Sequence, residues 1–234
     1  MSELAEFRSD VRGWLAENCP EGAKGPGQIA NGSSKIELEP DVALWLERCA
    51  EKGFTAPTWP TEFGGGGLST AQAKIFYEEM GNVGARMPLG GMGMTMIGPT
   101  LLEYGTQAQK ERHMPKIIRG EIQWCQGYSE PNAGSDVVSM KLHARKDGDR
   151  YILNGNKMWI TNGGFADVMI VFAKIDDDDN LTAFIIDGHA EGISKNPEEK
   201  KMGIKGSSTR QIFFNDVHVP IENLLYERQK GFKI

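Results

Sequence analysis

Two short stretches of the 234-residue sequence place hydroxyl groups beside aromatic rings and glycines. In GYSEPNAGSD, Tyr128 precedes Ser129; in NGNKMWITNGG, Trp159 lies two residues before Thr161. Aromatic faces can cover the π-surface of a planar polar ring such as a flavin, while hydroxyl and backbone N–H groups hydrogen-bond its edge. Residue types alone favour the alternative, ordinary hairpin turns with a core tryptophan. On composition both interpretations stay open.

Other chemistries find less support. The run Asp176–Asp179 lacks the glycine and the twelfth-position glutamate of a calcium loop, and the glycines at 64–67 lack the Gly-Lys-Ser/Thr ending of a P-loop. No Ser-x-x-Lys or Gly-x-Ser-x-Gly motif is present, so the sequence gives no sign of a nucleophilic hydrolase. The four histidines lie apart from one another without metal-ligand spacing, and we predict no metal site.

The charge and the cysteine pattern restrict compartment and partners. A formal net charge of −6 argues against a nucleic-acid or anionic-membrane partner, because both require a basic face. Three separated cysteines without a C-x-x-C motif are typical of reduced thiols, and the acidic start MSELAEFRSD does not resemble a secretory signal or transit peptide. With no apolar run approaching ~20 residues, we predict a cytoplasmic protein without a membrane partner.

The sequence pattern changes character near residue 121. Apolar spacing predicts helices over residues 4–19 and 40–52, a third helix capped by Ser69 or Thr70, a largely buried Met-rich helix over 90–105, and another after Thr106 that Pro115 bends or breaks. Glycine, proline and polar residues predict a loop over 21–34. These signals indicate an all-α region.

After residue 121 the pattern is that of β-structure. Asp147-Gly148 and Asn154-Gly155 are hairpin signals, and DVMIVFAKI, LTAFIID and TRQIFFNDVHVP read as strands. Segregated helices and strands predict an α+β multidomain fold, with an all-α helical N-terminal domain at 1–121 and an all-β sandwich or barrel domain at 122–234.

Three ordered motifs resemble the acyl-CoA dehydrogenase family. SEPNAGSD matches the family's T-E-P-x-A-G-S-D signature, YILNGNKMWITNGGFAD resembles its hairpin with W-I-T, and KMGIKGSSTRQIFFNDVHVP resembles its L-G-I-R-x-S-x-T…F-x-D-V-x-V-P strand. GFTAPTWPTEFGG and YGTQAQKERHMPKIIRGE fit the family's helical front half. The resemblance implies a helical N-terminal domain, a β middle domain, FAD between them and a C-terminal helical bundle.

The resemblance also implies roles for site residues. Ser129, where most members have Thr, would hydrogen-bond the pyrimidine edge of the flavin, Thr161 would donate near flavin N5, and Trp159 would pack over the ring. Neutral donors at this edge stabilise the negative charge that develops during reduction. Ser135 would face the FAD phosphates or the CoA pantetheine arm. The implied cofactor-binding residues are Gln126, Gly127, Tyr128, Ser129, Ser135, Trp159, Ile160 and Thr161.

The acyl substrate would lie along the Met-rich segment 92–99, which makes Thr95 and Met96, together with Ser135, the expected substrate contacts. In the family a glutamate of the C-terminal bundle removes the α-proton, and the chain ends at QKGFKI, where that bundle would begin. We therefore assign no catalytic residue; Glu78, Glu79 and Glu130 are present, but no motif nominates them.

The resemblance leaves three interpretations of the chain. It is a truncated copy of an FAD-dependent dehydrogenase, a half-length subunit whose partner supplies the base, or a non-catalytic acyl-CoA- or flavin-binding module; we favour the first. The expected reaction converts an acyl-CoA to the trans-2-enoyl-CoA of fatty acid β-oxidation. An electron-transfer flavoprotein is the expected partner for reoxidation, with oxygen as an alternative acceptor, in a homo- or hetero-oligomer.

Overall fold

The computed structural model of the chain describes residues 2–26 and 37–234. The predicted loop at 21–34 therefore lies partly outside the described residues. Within them the chain forms two compact units. The first comprises the residues up to 95 together with 111–121, and the second comprises 96–110 and 122–234. The predicted division at 121/122 stays a prediction.

The first unit is built from helices that begin at recognisable sequence signals. Ser69 and Gln72 form a capping box, in which the Ser69 hydroxyl accepts from the Gln72 N–H at 3.3 Å and the Gln72 side chain accepts from the Ser69 N–H at 3.0 Å. Pro40 occupies the first position of its helix, where its missing N–H costs no hydrogen bond. The first three helices confirm the predicted ones: α1 Glu3–Asn18, α2 Pro40–Glu51 and α3 Thr70–Asn82.

Aromatic residues form the core of this unit. The Trp14 and Phe54 rings meet edge to face with centroids 4.9 Å apart, and the Phe54 and Phe76 ring centroids are 4.4 Å apart. Trp45 is fully buried, and its indole N–H donates to the Arg86 carbonyl at 2.9 Å. This core fixes α2 and α3, since Trp45 and Phe76 lie on those two helices.

Two helix predictions need correction. The Met-rich segment is a π-helix over Gly93–Ile97 followed by α4, Gly98–Tyr104, and it is only partly buried, because Thr95 and Met96 are exposed. Helix α5 runs over Gln107–Ile118 and continues through Pro115, so a break at that proline is wrong. A proline removes one helical hydrogen bond, and three further residues follow it before the helix ends.

Residues 96–110 pack with the second unit, although their helical pattern groups them with the first. The Gln109 side-chain amide donates to the carbonyls of Glu222 at 2.8 Å and Leu224 at 2.9 Å, and the Tyr104 and Tyr226 ring centroids are 5.0 Å apart. Helical periodicity predicts an element but not its tertiary partner, and these contacts to residues far along the chain carry no local sequence signal.

The described residues of the second unit contain eight strands: β1 Trp124–Gly127, β2 His143–Asp147, β3 Arg150–Thr161, β4 Val168–Ile175, β5 Thr182–Asp187, β6 Ile193–Lys195, β7 Thr209–Pro220 and β8 Leu224–Leu225. Their order is β6-β7-β3-β2-β4-β5-β8, with β1 pairing in parallel to β4. The strands β2 and β4 pair over only two residues each, and this short contact joins two sets of antiparallel strands. Together with the preceding helices, they confirm the predicted α+β fold class.

Alternating apolar residues of both sets of strands form one core. Leu153 of β3 and Phe214 of β7 belong to it, as do Val171 of β4 and Phe184 of β5, and all four are at most 1% exposed. A period of two puts every second side chain of a strand on the same face, as with Val171 and Ala173 of β4, both of which belong to this core.

The two predicted hairpins have different outcomes. The turn near Gly148 joins β2 to β3 and is confirmed, with Asp147 pairing to Arg150. The predicted turn at Asn154-Gly155 is wrong, because β3 continues through it. Gly155 has a φ of +139°, and a Cβ there would lie 2.8 Å from the Leu142 Cδ1 atom. The glycine therefore allows an irregular backbone within β3 and the close approach of the segment that contains Leu142.

No helix among residues 2–26 and 37–234 is both long enough and apolar enough to cross a membrane.

A buried carboxylate links α1 to α3 in the first unit. The Glu79 side chain is 1% exposed and accepts hydrogen bonds from Arg12 at 2.9 Å and from Arg8 at 2.7 Å. Hydrogen bonds from Arg12 and then Arg8 lower the pKa of Glu79 to about 2. The ionised carboxylate is therefore part of the folded structure over nearly the whole pH range.

We predict that Glu79→Gln lowers the free energy of unfolding at neutral pH by about 1.5–3 kcal/mol, because charge-assisted hydrogen bonds are lost. Because the pKa of Glu79 is lower in the folded chain than its ordinary value of about 4.5, ionised Glu79 stabilises the fold above about pH 4.5. This contribution is lost as the pH falls towards about 2. Urea unfolding of both proteins across this range should show the difference shrinking with acid. Glu78→Gln is the matched control, since Glu78 forms an exposed pair worth about 0–1 kcal/mol. A difference that persists at the acid end contradicts the assignment.

Candidate functional site

Hydrogen bonds connect β1 and the loop that follows it to β3 and to Asn162, the residue after β3. The Met158 N–H donates to the Ser129 carbonyl at 2.7 Å, and the Lys157 ammonium donates to the Tyr128 carbonyl at 2.9 Å. The side-chain amide of Asn162 donates to the carbonyl of Trp124, the first residue of β1, at 3.1 Å. The two stretches that the sequence singled out are therefore neighbours. We call residues 126–129 and 158–161 together the candidate site.

A β-bulge presents Trp159 to solvent. In the pairing of β3 with β7, Lys157 faces Ile212 and Ile160 faces Arg210, so two residues of β3 lie opposite one of β7. Trp159 adopts a φ of +62° and is 57% exposed. A left-handed conformation costs an L-residue roughly 1–2 kcal/mol, and strain of this kind is concentrated at functional positions. The alternative interpretation, a core tryptophan, is wrong.

The two residues that follow Trp159 differ in their exposure. Ile160 is 2% exposed and belongs to the β core, so only its backbone can face a ligand at the candidate site. Thr161 is exposed, and it pairs with Thr209 of β7. An exposed indole and an exposed hydroxyl two residues apart are the groups that a polar ring with an apolar face requires.

Tyr128 is held by an aromatic partner. Its ring stacks on the Phe172 ring with centroids 3.7 Å apart and planes inclined by 14°. Burial raises the pKa of Tyr128, so the phenol stays neutral at physiological pH. Ser129, the next residue, is half-buried. The stacking therefore fixes the backbone from which Ser129 presents its hydroxyl.

A buried ion pair lies directly behind this loop. Lys157 is fully buried, and its ammonium lies 2.9 Å from the Glu130 carboxylate. The same carboxylate accepts from the backbone N–H groups of Lys141 at 2.6 Å and Leu142 at 2.9 Å. Glu130 is 8% exposed and has three donors, so its charge is neutralised inside the protein. The donors that remain at the candidate site are neutral.

The other sequence-predicted residues differ in what the structure shows. Gln126 is half-buried on β1, and Gly127 is buried, where a Cβ would lie 3.3 Å from the Val171 Cγ2 atom. Ser135 is exposed in the loop. Thr95 and Met96 lie on the π-helix, and the Thr95 hydroxyl donates to the Gly91 carbonyl at 3.0 Å. Their contacts with cofactor or substrate stay predictions.

Sequence reasoning missed a polar cluster beside Thr161. Glu198 accepts from the Ser208 hydroxyl at 2.6 Å, from the Thr209 N–H at 2.7 Å and from Arg210 at 2.8 Å. Burial acts to raise the pKa of Glu198, but these hydrogen bonds outweigh it and lower the pKa. A Cβ on Gly164 would lie 2.6 Å from the Ser208 hydroxyl, so the glycine lets the turn after β3 approach this cluster.

Sequence reasoning also missed Lys157. The signal available was a lysine two positions before Trp159 within the motif NGNKMWITNGG. Its partner Glu130 lies in the other motif, 27 residues away. Burial lowers the pKa of Lys157 to about 8, and the attraction of Glu130 opposes that effect.

We predict that Lys157→Met destabilises the chain at neutral pH by roughly 3–5 kcal/mol, because it leaves the Glu130 carboxylate buried without a cation. The folded-state pKa of Lys157 lies below its usual value of 10.5, so the unfolded chain binds more protons between about pH 8 and 10.5. The difference in free energy of unfolding between the wild type and Lys157→Met should therefore increase with pH in this window.

Chemical unfolding at neutral and alkaline pH measures both effects. Lys146→Met, which removes an exposed lysine from β2, is the matched control and should change the free energy of unfolding by less than about 0.5 kcal/mol. Equal small effects for both substitutions would show that the buried pair contributes little.

Family sequence models match most of the chain. The model described as "Acyl-CoA dehydrogenase, N-terminal domain" matches residues 1–121, and the one described as "Acyl-CoA dehydrogenase, middle domain" matches residues 125–217. Isovaleryl-CoA dehydrogenase, mitochondrial, of Pongo abelii is 42% identical over 97% of this chain and 55% of its own length. The chain thus spans about half the length of that curated relative.

Solved structures of similar proteins share the fold. The ChsE4-ChsE5 complex from Mycobacterium tuberculosis matches with a TM-score of 0.69 and 28% identity, covering 100% of this chain and 58% of that chain. An acyl-CoA dehydrogenase complexed with FAD from Bacillus anthracis matches with a TM-score of 0.64 and 30% identity, covering 100% of this chain and 39% of that one. Both matches are consistent with the order of helices and strands described above.

Proposed function

Since the chain belongs to the acyl-CoA dehydrogenase family, we propose that it carries the FAD- and acyl-CoA-binding part of an enzyme that converts an acyl-CoA thioester to the trans-2-enoyl-CoA. The observation that carries this proposal is the junction of the two motifs, where the Met158 N–H meets the Ser129 carbonyl at 2.7 Å beside an exposed Trp159. We infer the acyl-CoA substrate class from membership of the family and not from the shape of a pocket.

The donor set of the candidate site fits FAD. Ser129 and Thr161 offer hydroxyls, Trp159 offers an exposed apolar face, and the nearby Glu130 carboxylate is occupied by three donors. Preorganised neutral donors can stabilise negative charge on a ring edge by ~3 kcal/mol each. We propose that Ser129 binds the pyrimidine edge of the flavin, that Thr161 donates near N5, and that Trp159 packs on the ring. Bound FAD would supply the acceptor for the hydride that leaves the acyl β-carbon.

We assign secondary contacts to the remaining residues. Gln126, Gly127 and Tyr128 would line the ring, and Ile160 would do so through its backbone. Ser135 would approach the FAD phosphates or the pantetheine arm of CoA, and the π-helix residues Thr95 and Met96 would contact the acyl chain. We propose that an electron-transfer flavoprotein accepts the electrons from the reduced flavin.

The glutamates that the sequence offered are unsuited to act as the base. Glu79 is held by two arginines with a pKa of about 2, Glu78 pairs with Arg8 at 2.7 Å, and Glu130 pairs with Lys157 at 2.9 Å. A general base must be free to accept a proton near the operating pH. We propose that the α-proton is removed by a glutamate of another segment, in the same polypeptide or in a partner subunit.

A hetero-oligomeric arrangement has specific support. The similar structure from Mycobacterium tuberculosis is described as a complex of ChsE4 with ChsE5. If this chain is a half-length subunit in such an assembly, a helical partner would supply the base. In the simpler alternative, homo-oligomers form from a longer polypeptide that contains the same residues.

We predict that the chain binds FAD and that Ser129→Ala and Thr161→Ala each weaken binding about 3- to 10-fold, which corresponds to one lost hydrogen bond. Trp159→Gly should weaken binding as well, yet leave the chain no less stable, because glycine adopts the observed φ of +62° without strain. Fluorescence titration with FAD and thermal unfolding provide the two measurements.

Ser194→Ala, an exposed serine of β6, is the control for the hydroxyl substitutions and should bind FAD as the wild type does. Wild-type affinity in all three site variants would rule out the candidate site as the place where FAD binds.

We further predict that the 234-residue chain alone does not dehydrogenate acyl-CoA thioesters with an artificial electron acceptor, because its described residues provide no free base at the candidate site. Turnover by the purified chain contradicts this statement. Restoration of turnover by a co-purified helical partner supports the hetero-oligomer. If the chain binds acyl-CoA tightly but binds no flavin under any condition, it is a non-catalytic module instead.

A further inference from the structure

The Tyr128–Ser129 peptide group of the candidate site accepts a hydrogen bond from a buried cation, the Lys157 ammonium. We propose that Lys157 is a positioning residue that polarises this peptide and thereby strengthens the Ser129 N–H as a donor to the flavin edge. This inference rests on the proposed function for its ligand. Its physical basis, a charged donor on the Tyr128 carbonyl at 2.9 Å, is independent of any ligand.

The orientation of the peptide follows from covalent geometry. The Tyr128 carbonyl and the Ser129 N–H belong to one planar unit, and in a trans peptide these two bonds point in opposite directions. The carbonyl accepts from Lys157, whose side chain is fully buried. The Ser129 N–H therefore points away from the buried ammonium. Ser129 itself is only half-buried.

The ammonium group is held in one orientation. Its three N–H donors have three acceptors: the Tyr128 carbonyl at 2.9 Å, the Glu130 carboxylate at 2.9 Å and the Met140 sulfur at 3.1 Å. The aliphatic part of the side chain packs beside Gly127, where a Cβ would lie 3.4 Å from the Lys157 Cγ atom. An ammonium with all donors matched cannot turn away from the peptide without losing a hydrogen bond.

A charge in this position affects the peptide more than a neutral donor would. Hydrogen bonds from ionised donors are roughly twice as strong as those between neutral groups, and low local dielectric increases the polarisation along a chain of hydrogen bonds. Anchoring the loop mechanically requires only a neutral donor, and burying a charge is costly. The same ammonium neutralises the buried Glu130 carboxylate, so one charged group both balances that carboxylate and polarises the peptide that carries the Ser129 N–H.

The protonation state of Lys157 provides the test. Burial lowers the pKa of Lys157 to about 8, so the polarisation should decrease when the pH rises through that value. The charged group in contact with Nζ is Glu130, the carboxyl group of the same loop; the Tyr128 carbonyl and the Met140 sulfur are uncharged. The pKa of the nearby Tyr128 phenol is raised above 10, which separates its titration from that of Lys157.

The first experiment needs no cofactor. The backbone 15N nucleus of the Ser129 amide in the 234-residue chain is followed by carbon-detected NMR, which does not depend on the exchangeable amide proton, from about pH 6.5 to about pH 9.5, a range that brackets the pKa of Lys157. We expect an upfield shift as the pH rises, with its midpoint near 8. Lys157→Arg keeps the charge and should abolish the titration while leaving the amide downfield, and Lys157→Gln should leave it upfield at every pH. A Ser129 amide that does not titrate, or that titrates equally in Lys157→Gln, overturns the inference.

The second experiment uses the FAD-bound chain. Lys157→Gln should weaken binding of reduced flavin about tenfold more than binding of oxidised flavin, which for a two-electron couple lowers the midpoint potential by about 30 mV. Lys157→Arg should restore the wild-type potential, and Lys146→Met should not alter it. A purely structural role predicts equal losses of stability in the Arg and Gln variants with an unchanged potential, and that result overturns the inference. If the wild-type chain binds no FAD, the proposed function fails, while the NMR titration still decides the effect of Lys157 on the peptide.

Discussion

The candidate site depends on the need to satisfy one buried ammonium group. Lys157 has no contact with solvent, so its charge requires a counter-charge and acceptors within the protein. The acceptors come from the loop at 128–130 and from Met140, while the lysine belongs to β3. Folding of β3 therefore brings the loop to the strand. Because Met158 and Ser129 adjoin these residues, the same contact aligns the two hydroxyl-bearing motifs.

The same arrangement keeps charge apart from the neutral donors of the candidate site. Glu130 is next to Ser129, and an unpaired carboxylate there would oppose electron density on a flavin edge. Its interactions with Lys157 and two backbone N–H groups hold the carboxylate inside the loop. The cation contributes to the outside only through the peptide that it polarises. A surface of neutral donors in front of a buried ion pair can therefore stabilise negative charge without binding anions indiscriminately.

The sequence was sufficient for several long elements but not for the irregularities that make the site. Residue pattern predicted the strands β4, β5 and β7, and capping residues predicted the start of α3. Asn154-Gly155 misled because a glycine with positive φ serves a turn or an irregular strand equally well, and only the close approach of Leu142 distinguishes them. Lys157 could be seen in its motif, but its role could not be read there, because it depends on a partner 27 residues away. The tertiary placement of residues 96–110 was likewise invisible to periodicity.

Trp159 shows why the site residues could be named before their geometry was known. The motif identified an indole beside a hydroxyl, but an uninterrupted strand would give Trp159 a regular place in the pleat. The bulge instead places it in a left-handed conformation that an aromatic side chain adopts at a cost, with more than half of its surface in water. Neither the strain nor the exposed apolar area stabilises the isolated chain. Both are explained if the indole covers a ring that binds at this surface, because ligand binding would then recover the hydrophobic free energy that folding left unused.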